Sequence, residues 1–249
     1  MRSILSIAGL DPSGGAGILA DAKTIRSLGF FPSSAVTVIT YQNTCGVYGI
    51  YEVKPECLER QILAVLDDLN LAGVKVSLVC SIDLANVIVK LIKNLDVPKV
   101  VDPVIKATTG FRFSGKDVYS ILAKACDIIT PNADEASKLS GIEVKDIESA
   151  KEAANIIADR FGCSVVITGG SLGGKDVVFD VDTRRMFVVE GEVIDMEIHG
   201  TGCVYSSALT CYLAKGLGLY EACKEARVFV HKAVMNSVEV GRCLKVVGI

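Results

Sequence analysis

Residues 3–28 read SILSIAGLDPSGGAGILADAKTIRSL. Ser3 to Ala8 is a β-prone run, a glycine loop follows, and a helix is expected from about Gly15 to Leu28. Four glycines fall in positions 9 to 17, where the chain must turn tightly and let a ligand approach the backbone. A strand, a glycine loop and a helix in this order form one βα unit. The same alternation continues along most of the chain.

Strands are expected at Ala35 to Tyr41, Val74 to Cys80, Lys99 to Val101, Ile128-Ile129 and Ser164 to Thr168. Helices fall between them. Pro55 to Leu71 carries Leu58, Ile62, Val65 and Leu69 on one stripe. Ile82 to Leu95 is another helix, Ile121 to Ala125 closes the next, and two follow between Asn132 and Phe161. After Gly169-Gly170 the pattern changes. Val177 to Asp182, Arg184 to Glu190 and Glu192 to Met196 read as an antiparallel meander. Helices return at about Gly202 to Ala214 and Tyr220 to Val240. Alternating βα units imply an α/β fold with a mostly parallel central sheet flanked by helices and a small antiparallel portion near 175–196. With no repeat, linker or low-complexity tract, residues 1–249 are read as one domain. In such sheets ligands bind beyond the carboxyl ends of the strands, where these glycine loops fall.

Composition narrows the function. Half of the 249 residues are hydrophobic and the net charge is -3, so a sizeable core is available and no nucleic-acid surface is expected. No apolar run reaches the ~18 residues of a membrane span. The first residues lack the long apolar segment of a signal peptide, and a cytoplasmic protein is expected. Nine cysteines are present, without a CxxC pair or a Cys/His cluster. Most lie in apolar runs and read as small core residues. Their spacing argues against structural zinc, and an odd number in a cytoplasmic chain argues against a disulfide framework.

Cys203 alone has a placement that suggests chemistry. It lies in His199-Gly200-Thr201-Gly202-Cys203, ahead of small residues that read as a helix. Free N–H groups at a helix start, with the positive end of the helix dipole, make an anion cradle; a plain strand-to-helix turn fits the same residues. Asp21, one turn into the first helix, falls on the flank of its apolar stripe. It would be partly buried there and able to bond a heterocycle, or else simply be a solvated helix carboxylate. Gln42, in Tyr41-Gln42-Asn43-Thr44, both donates and accepts, which suits an aminopyrimidine edge, although such residues also make ordinary turns. Asn132 and Glu135 have capping-box spacing, and Glu135 is also placed to hold Mg²⁺ through water. Thr168-Gly169-Gly170 ends a strand without P-loop spacing and reads as a nucleotide loop or a β-turn. His199 reads as a loop histidine and His231 as structural.

Together, the segment from Ile7 to Asp21, Gln42-Asn43-Thr44, Asp102-Pro103-Val104, Thr130-Pro131-Asn132 with Glu135-Ala136, Gly169-Gly170 and His199 to Cys203 occur in the order of one family. The chain resembles the hydroxymethylpyrimidine/phosphomethylpyrimidine kinases of thiamine biosynthesis, in the ribokinase-like superfamily of three-layer α/β folds. The resemblance implies ATP-dependent phosphorylation of 4-amino-5-hydroxymethyl-2-methylpyrimidine and then of its monophosphate. It implies ATP and Mg²⁺ and a homodimer. By the same resemblance Gly9, Asp21 and Gln42 line the pyrimidine pocket, and the amides of Gly200, Thr201, Gly202 and Cys203 form the anion hole. Asp102, Thr168, Gly169 and Gly170 lie at the nucleotide, and Glu135 supports Mg²⁺. Cys203 matches the position where sugar kinases carry an aspartate base; a thiolate at a helix N-terminus has a lowered pKa and would accept the hydroxymethyl proton. Two segments depart from the family pattern: Ser77-Leu78-Val79 replaces a Gly-Met pair, and Thr108-Thr109-Gly110, with Lys106 nearby, replaces a lysine before Ser-Gly. The rival readings are a pyridoxal kinase of the same superfamily and an inactive pyrimidine- or nucleotide-binding regulatory module.

Overall fold

The computed structural model describes residues 1–106, 110–113, 116–193 and 196–249. Its first unit is the one read above: β1 (Ser3–Leu10), a glycine turn and α1 (Gly17–Ser27). There follow β2 (Phe31–Asn43), β3 (Gly46–Glu52), α2 (Pro55–Asp68), β4 (Leu71–Ser77), α3 (Ile82–Ile92), β5 (Lys99–Asp102), α4 (Lys116–Ala123) and β6 (Ile128–Ile129). The remainder comprises α5 (Ala133–Ser140), α6 (Ile147–Phe161), β7 (Ser164–Ile167), β8 (Lys175–Asp180), β9 (Arg185–Glu190), β10 (Ile198–His199), α7 (Thr201–Ala214), α8 (Leu219–Met235) and β11 (Lys245–Val246).

Nine strands form one sheet in the order β3-β2-β1-β4-β5-β6-β7-β8-β9. From β2 to β7 every neighbouring pair is parallel, while β3 at one edge and β8 and β9 at the other run antiparallel. Alternating side chains fill the two faces. Val101, Val165 and Ile167 pack with the layer of α2 to α6, around Leu58, Ile88 and Ile157. Val100, Val166 and Val178 turn the other way, onto Tyr205, Leu209 and Ala226 of α7 and α8. Ile4 and Ala72 meet Ile25 of α1 and Cys211 of α7 on that same side. The three-layer expectation is realised.

Three features differ from the sequence reading. The second strand runs from Phe31 to Asn43 and is paired along its outer half with β3, which was not expected. The third meander strand expected at Glu192 to Met196 is not seen in its described residues: 192, 193 and 196 lie outside any strand. Finally, Cys45 and Cys243 form a disulfide, against the expectation of none. It ties the β2–β3 turn to the segment ahead of β11, which also donates Leu244 N–H to the Thr44 carbonyl at 3.2 Å. β11 then runs parallel to β10, with His199 opposite Val246. The C-terminal segment thereby clamps the hairpin beside the loop that leads into α7.

Candidate active site

The parallel strands place their carboxyl ends on one edge of the sheet, and a cavity of about 740 Å³ opens there. That size suits a small molecule with a nucleotide beside it. Gly9 comes from the end of β1, Gln42 from β2, Ser77 from β4 and Asp102 from β5. Thr130 follows β6, and Thr168 follows β7. Glu135, Gly169, Gly170 and the run Gly200 to Cys203 complete the part of the wall read from sequence. One expected residue is placed elsewhere: Asp21 is fully buried behind the wall and does not line the cavity. Thr108 and Thr109 lie outside the described residues.

Asp21 belongs to a polar cluster under the cavity floor. Its Oδ1 and Oδ2 each accept from the Lys75 ammonium at 2.9 Å. Ser207 of α7 donates to Oδ1 at 2.8 Å, and Ser6 of β1 donates to Oδ2 at 2.5 Å. Neither Lys75 nor Asp21 has any exposed side-chain surface. Burial works most strongly against the Lys75 charge, but Asp21, Cys203 and Asp102 together outweigh it and hold the ammonium above its ordinary pKa. Lys75 also donates to Ser77 Oγ at 2.8 Å, and Ser77 faces the cavity. The pair thus joins β1, α1, β4 and α7 at one point. A lysine inside the apolar run Ala72 to Val76 was its one sequence signal.

The anion cradle has the expected backbone. Gly200 caps α7 with φ 96°, a left-handed conformation that glycine adopts without strain. A side chain there would also collide with the Gly15 carbonyl oxygen of the first loop. The helix closes its first internal bond from Val204 N–H to Gly200 C=O at 3.0 Å. The N–H groups of Thr201, Gly202 and Cys203 therefore precede the helical ladder, beside the cavity that these residues line. Cys203 is partly open to the cavity, but its thiol is pushed up to about 12. Burial is the main cause; the Lys75 cation lowers it, and the Asp21 and Asp102 carboxylates raise it. This corrects the expected lowered pKa: burial beside two carboxylates outweighs the helix terminus.

Asp102 and Glu135 form the acidic side of the cavity. Ser206 of α7 donates to Asp102 Oδ2 at 3.0 Å, and burial raises the Asp102 pKa. Glu135 completes the capping box of α5, with Oε2 accepting from Asn132 N–H at 3.0 Å and Oε1 from Ile105 N–H at 3.3 Å. Burial and then the Asp102 charge push Glu135 up to about 8. Both expectations for Glu135 concern the same carboxylate, which caps a helix and faces the cavity. Two carboxylates on one side of a cavity are oxygen donors that fit a hard divalent cation that keeps most of its waters. Among the described residues there is no cluster of three or more metal-ligating side chains.

At the other end, Asp176 Oδ1 accepts from Gly169 N–H at 2.7 Å and from Arg227 Nη1 at 2.6 Å. This fixes the Thr168-Gly169-Gly170 loop from below. Neither Asp176 nor Arg227 was singled out in the sequence, because an Asp in a short strand and an Arg on a helix carry no local signal. Leu78 departs from ordinary backbone: its φ is 37°, and Thr37 Oγ1 donates to its carbonyl at 2.6 Å. It is part of Ser77-Leu78-Val79, which departs from the family pattern, and it lines the cavity beside Gly9.

A mostly parallel sheet with a helix start, an acidic pair and a glycine loop around one cavity fits a small-molecule phosphotransferase of the ribokinase-like fold. The phosphomethylpyrimidine kinase family matches residues 11–247, and the chain belongs to that family. It is 33% identical to the hydroxymethylpyrimidine/phosphomethylpyrimidine kinase of Haemophilus influenzae, over 97% of this chain and 94% of that one. Among solved structures, it is similar to a Bacillus subtilis pyridoxal kinase in complex with ADP, with TM-score 0.88 and 32% identity over 100% of this chain and 97% of that one. It is also similar to a Clostridium difficile phosphomethylpyrimidine kinase, with TM-score 0.81 and 32% identity over 94% and 100%.

Proposed function

We propose that the protein transfers the γ-phosphoryl group of ATP to the hydroxymethyl group of 4-amino-5-hydroxymethyl-2-methylpyrimidine, and then phosphorylates the monophosphate to the diphosphate for thiamine synthesis. The observation that carries this reading is the shared cavity of Gly9, Gln42 and the α7 amides in a chain matched by the family from residue 11 to 247. Gln42 and Gly9 hold the pyrimidine, while Asp21 acts from behind through Lys75 and Ser77. Thr168, Gly169 and Gly170 hold the nucleotide, with Asp102 near its phosphates. The Gly200 to Cys203 backbone amides take the charge of the transferred group; phosphoryl transfer needs positioning and neutralisation more than covalent chemistry. Cys203, in the small fraction that carries the thiolate, accepts the hydroxymethyl proton as the phosphoryl group arrives.

Glu135 and Asp102 hold Mg²⁺ through water, and the ion neutralises phosphate charge. No helix among the described residues is long and apolar enough to cross a membrane. We place the enzyme in the cytoplasm as a homodimer, without nucleic-acid or membrane partners. Sedimentation of the purified protein tests the dimer.

The similarity to pyridoxal kinases over the whole chain supports pyridoxal as a second substrate to assay. ATP turnover is measured with the pyrimidine, its monophosphate and pyridoxal, with products resolved by ³¹P NMR. Pyrimidine mono- and diphosphate are expected. Turnover of pyridoxal alone overturns the reading, and binding of ATP and pyrimidine without turnover marks a regulatory module.

A further inference from the structure

His199 Nε2 lies 2.9 Å from Asp11 Oδ2 and also 2.9 Å from Gln42 Nε2. One ring nitrogen cannot serve both as the structure draws them. Asp11 is buried, and its carboxylate also accepts from Ala16 N–H at 3.0 Å and from Ser13 N–H at 2.8 Å and Oγ at 2.7 Å. Burial opposes its charge, but the His199 and Ser13 hydrogen bonds prevail and hold its pKa below the ordinary value. An ionised carboxylate only accepts, so Nε2 must carry the proton. A protonated Nε2 then faces the Gln42 amide nitrogen, donor against donor. The oxygen and nitrogen of a carboxamide exchange places with almost no change of shape.

We propose that Asp11 and His199 are positioning residues that fix the Gln42 amide with its carbonyl oxygen sharing the His199 Nε2–H with Asp11 and its NH₂ group directed into the cavity. The inference deepens the pyrimidine reading above and rests on it for the ligand. Gln42 is then a donor to the substrate and selects a ring-nitrogen acceptor on the heterocycle. His199 is held for this task on every side. It pairs with Val246 across β10 and β11, Val247 N–H donates to its carbonyl at 3.4 Å, and a side chain at position 15 would collide with its ring. The first glycine loop, the β2–β3 hairpin and the approach to α7 meet at this imidazole. The charged and titratable group facing it from the first loop is Asp11. The loop histidine of the sequence reading thus acquires a role.

The experiment has two arms. Only two histidines are present, so ¹⁵N NMR of histidine-labelled protein, with His231→Gln for assignment, reads the His199 tautomer without any substrate. Nε2–H is expected at neutral pH; an Nδ1–H tautomer overturns the proposal whether or not the substrate assignment holds. In the second arm, kcat/KM is compared between the aminopyrimidine and analogues in which either ring nitrogen is replaced by C–H. The wild type should lose about tenfold to a hundredfold with one analogue, because a donor is left unpaired. In His199→Phe, with folding checked by circular dichroism, the loss should shrink to within about threefold, mainly in KM, as the amide turns freely. Asp11→Asn, which releases the tautomer while preserving shape, should shrink it partly. Equal analogue penalties in the wild type and both variants overturn the positioning role. Absence of turnover with the parent pyrimidine refutes the substrate assignment alone.

Discussion

The protonation state of Cys203 gives the sharpest test of the chemistry. With the thiol at about 12, it is five units above neutral pH, so about one enzyme molecule in 10⁵ carries the thiolate at pH 7, a cost of ~7 kcal/mol. A base in that position works harder as pH rises and does not saturate. With ATP and Mg²⁺ saturating, kcat/KM for the pyrimidine should climb about tenfold per pH unit between pH 6 and 9, without a plateau. Glu135 titrates in the same window, at about 8, so Cys203→Ala provides the reference profile. The variant should lose about 10²- to 10⁴-fold in kcat at pH 8, the range for a positioned acid–base group. The part of the slope that belongs to the thiol should vanish with it. A wild-type plateau near pH 7 would show that the helix end lowers the thiol after all, and would refute the burial argument. A loss of only a few-fold in Cys203→Ala, with folding intact, would remove the cysteine as proton acceptor.

Lys75→Met strands the Asp21 carboxylate in the interior. It should destabilise the protein by about 3–5 kcal/mol, and Lys75→Met with Asp21→Leu should recover most of that in thermal or urea unfolding. Glu135 binds its proton more tightly folded than unfolded, since its pKa rises from 4.5 to about 8. Between those values the folded state holds more protons, so stability falls as pH rises, by up to about 1.4 kcal/mol per unit. Glu135→Gln should flatten that decline, and Mg²⁺ should raise Tm more at pH 8 than at pH 5. The Cys45–Cys243 bridge spans 198 residues. Cys243→Ser should cost at most ~5 kcal/mol of stability by chain entropy and raise KM for the pyrimidine more than for ATP, because the freed hairpin carries Gln42.

The alternation of strands and helices was legible because each parallel strand is a short apolar run ended by turn residues. The β3 strand was not. Gly46 and Gly49 lower its β propensity, and Gly49 leaves room for the Tyr41 ring that lies across it. The cavity wall was legible because the glycine loops fall together at the carboxyl ends of the strands, where ligands bind, and because their motifs occur in the order of one family; each loop alone reads equally well as a turn. The Asp21 environment was misjudged for a physical reason: helical spacing gives the direction of a side chain, whereas its depth depends on Lys75 from a distant strand. The Cys203 pKa failed similarly, since a helix terminus is visible in sequence and the burial opposing it is not. The disulfide joins cysteines 198 positions apart, a separation that leaves no local pattern.

Gly15 and Gly200 lie back to back, with the carbonyl of one filling the space a side chain on the other would need. The substrate loop is made among the first residues of the chain and the phosphate loop about 185 residues later. β11, which braces His199, comes later still. During synthesis β1 to β7 emerge before α7 and α8, which cover one face of the sheet and close its catalytic edge. A chain cut short before α7 would therefore lack one helical layer together with the phosphate loop, and core and catalytic competence are completed together as the last event of biogenesis.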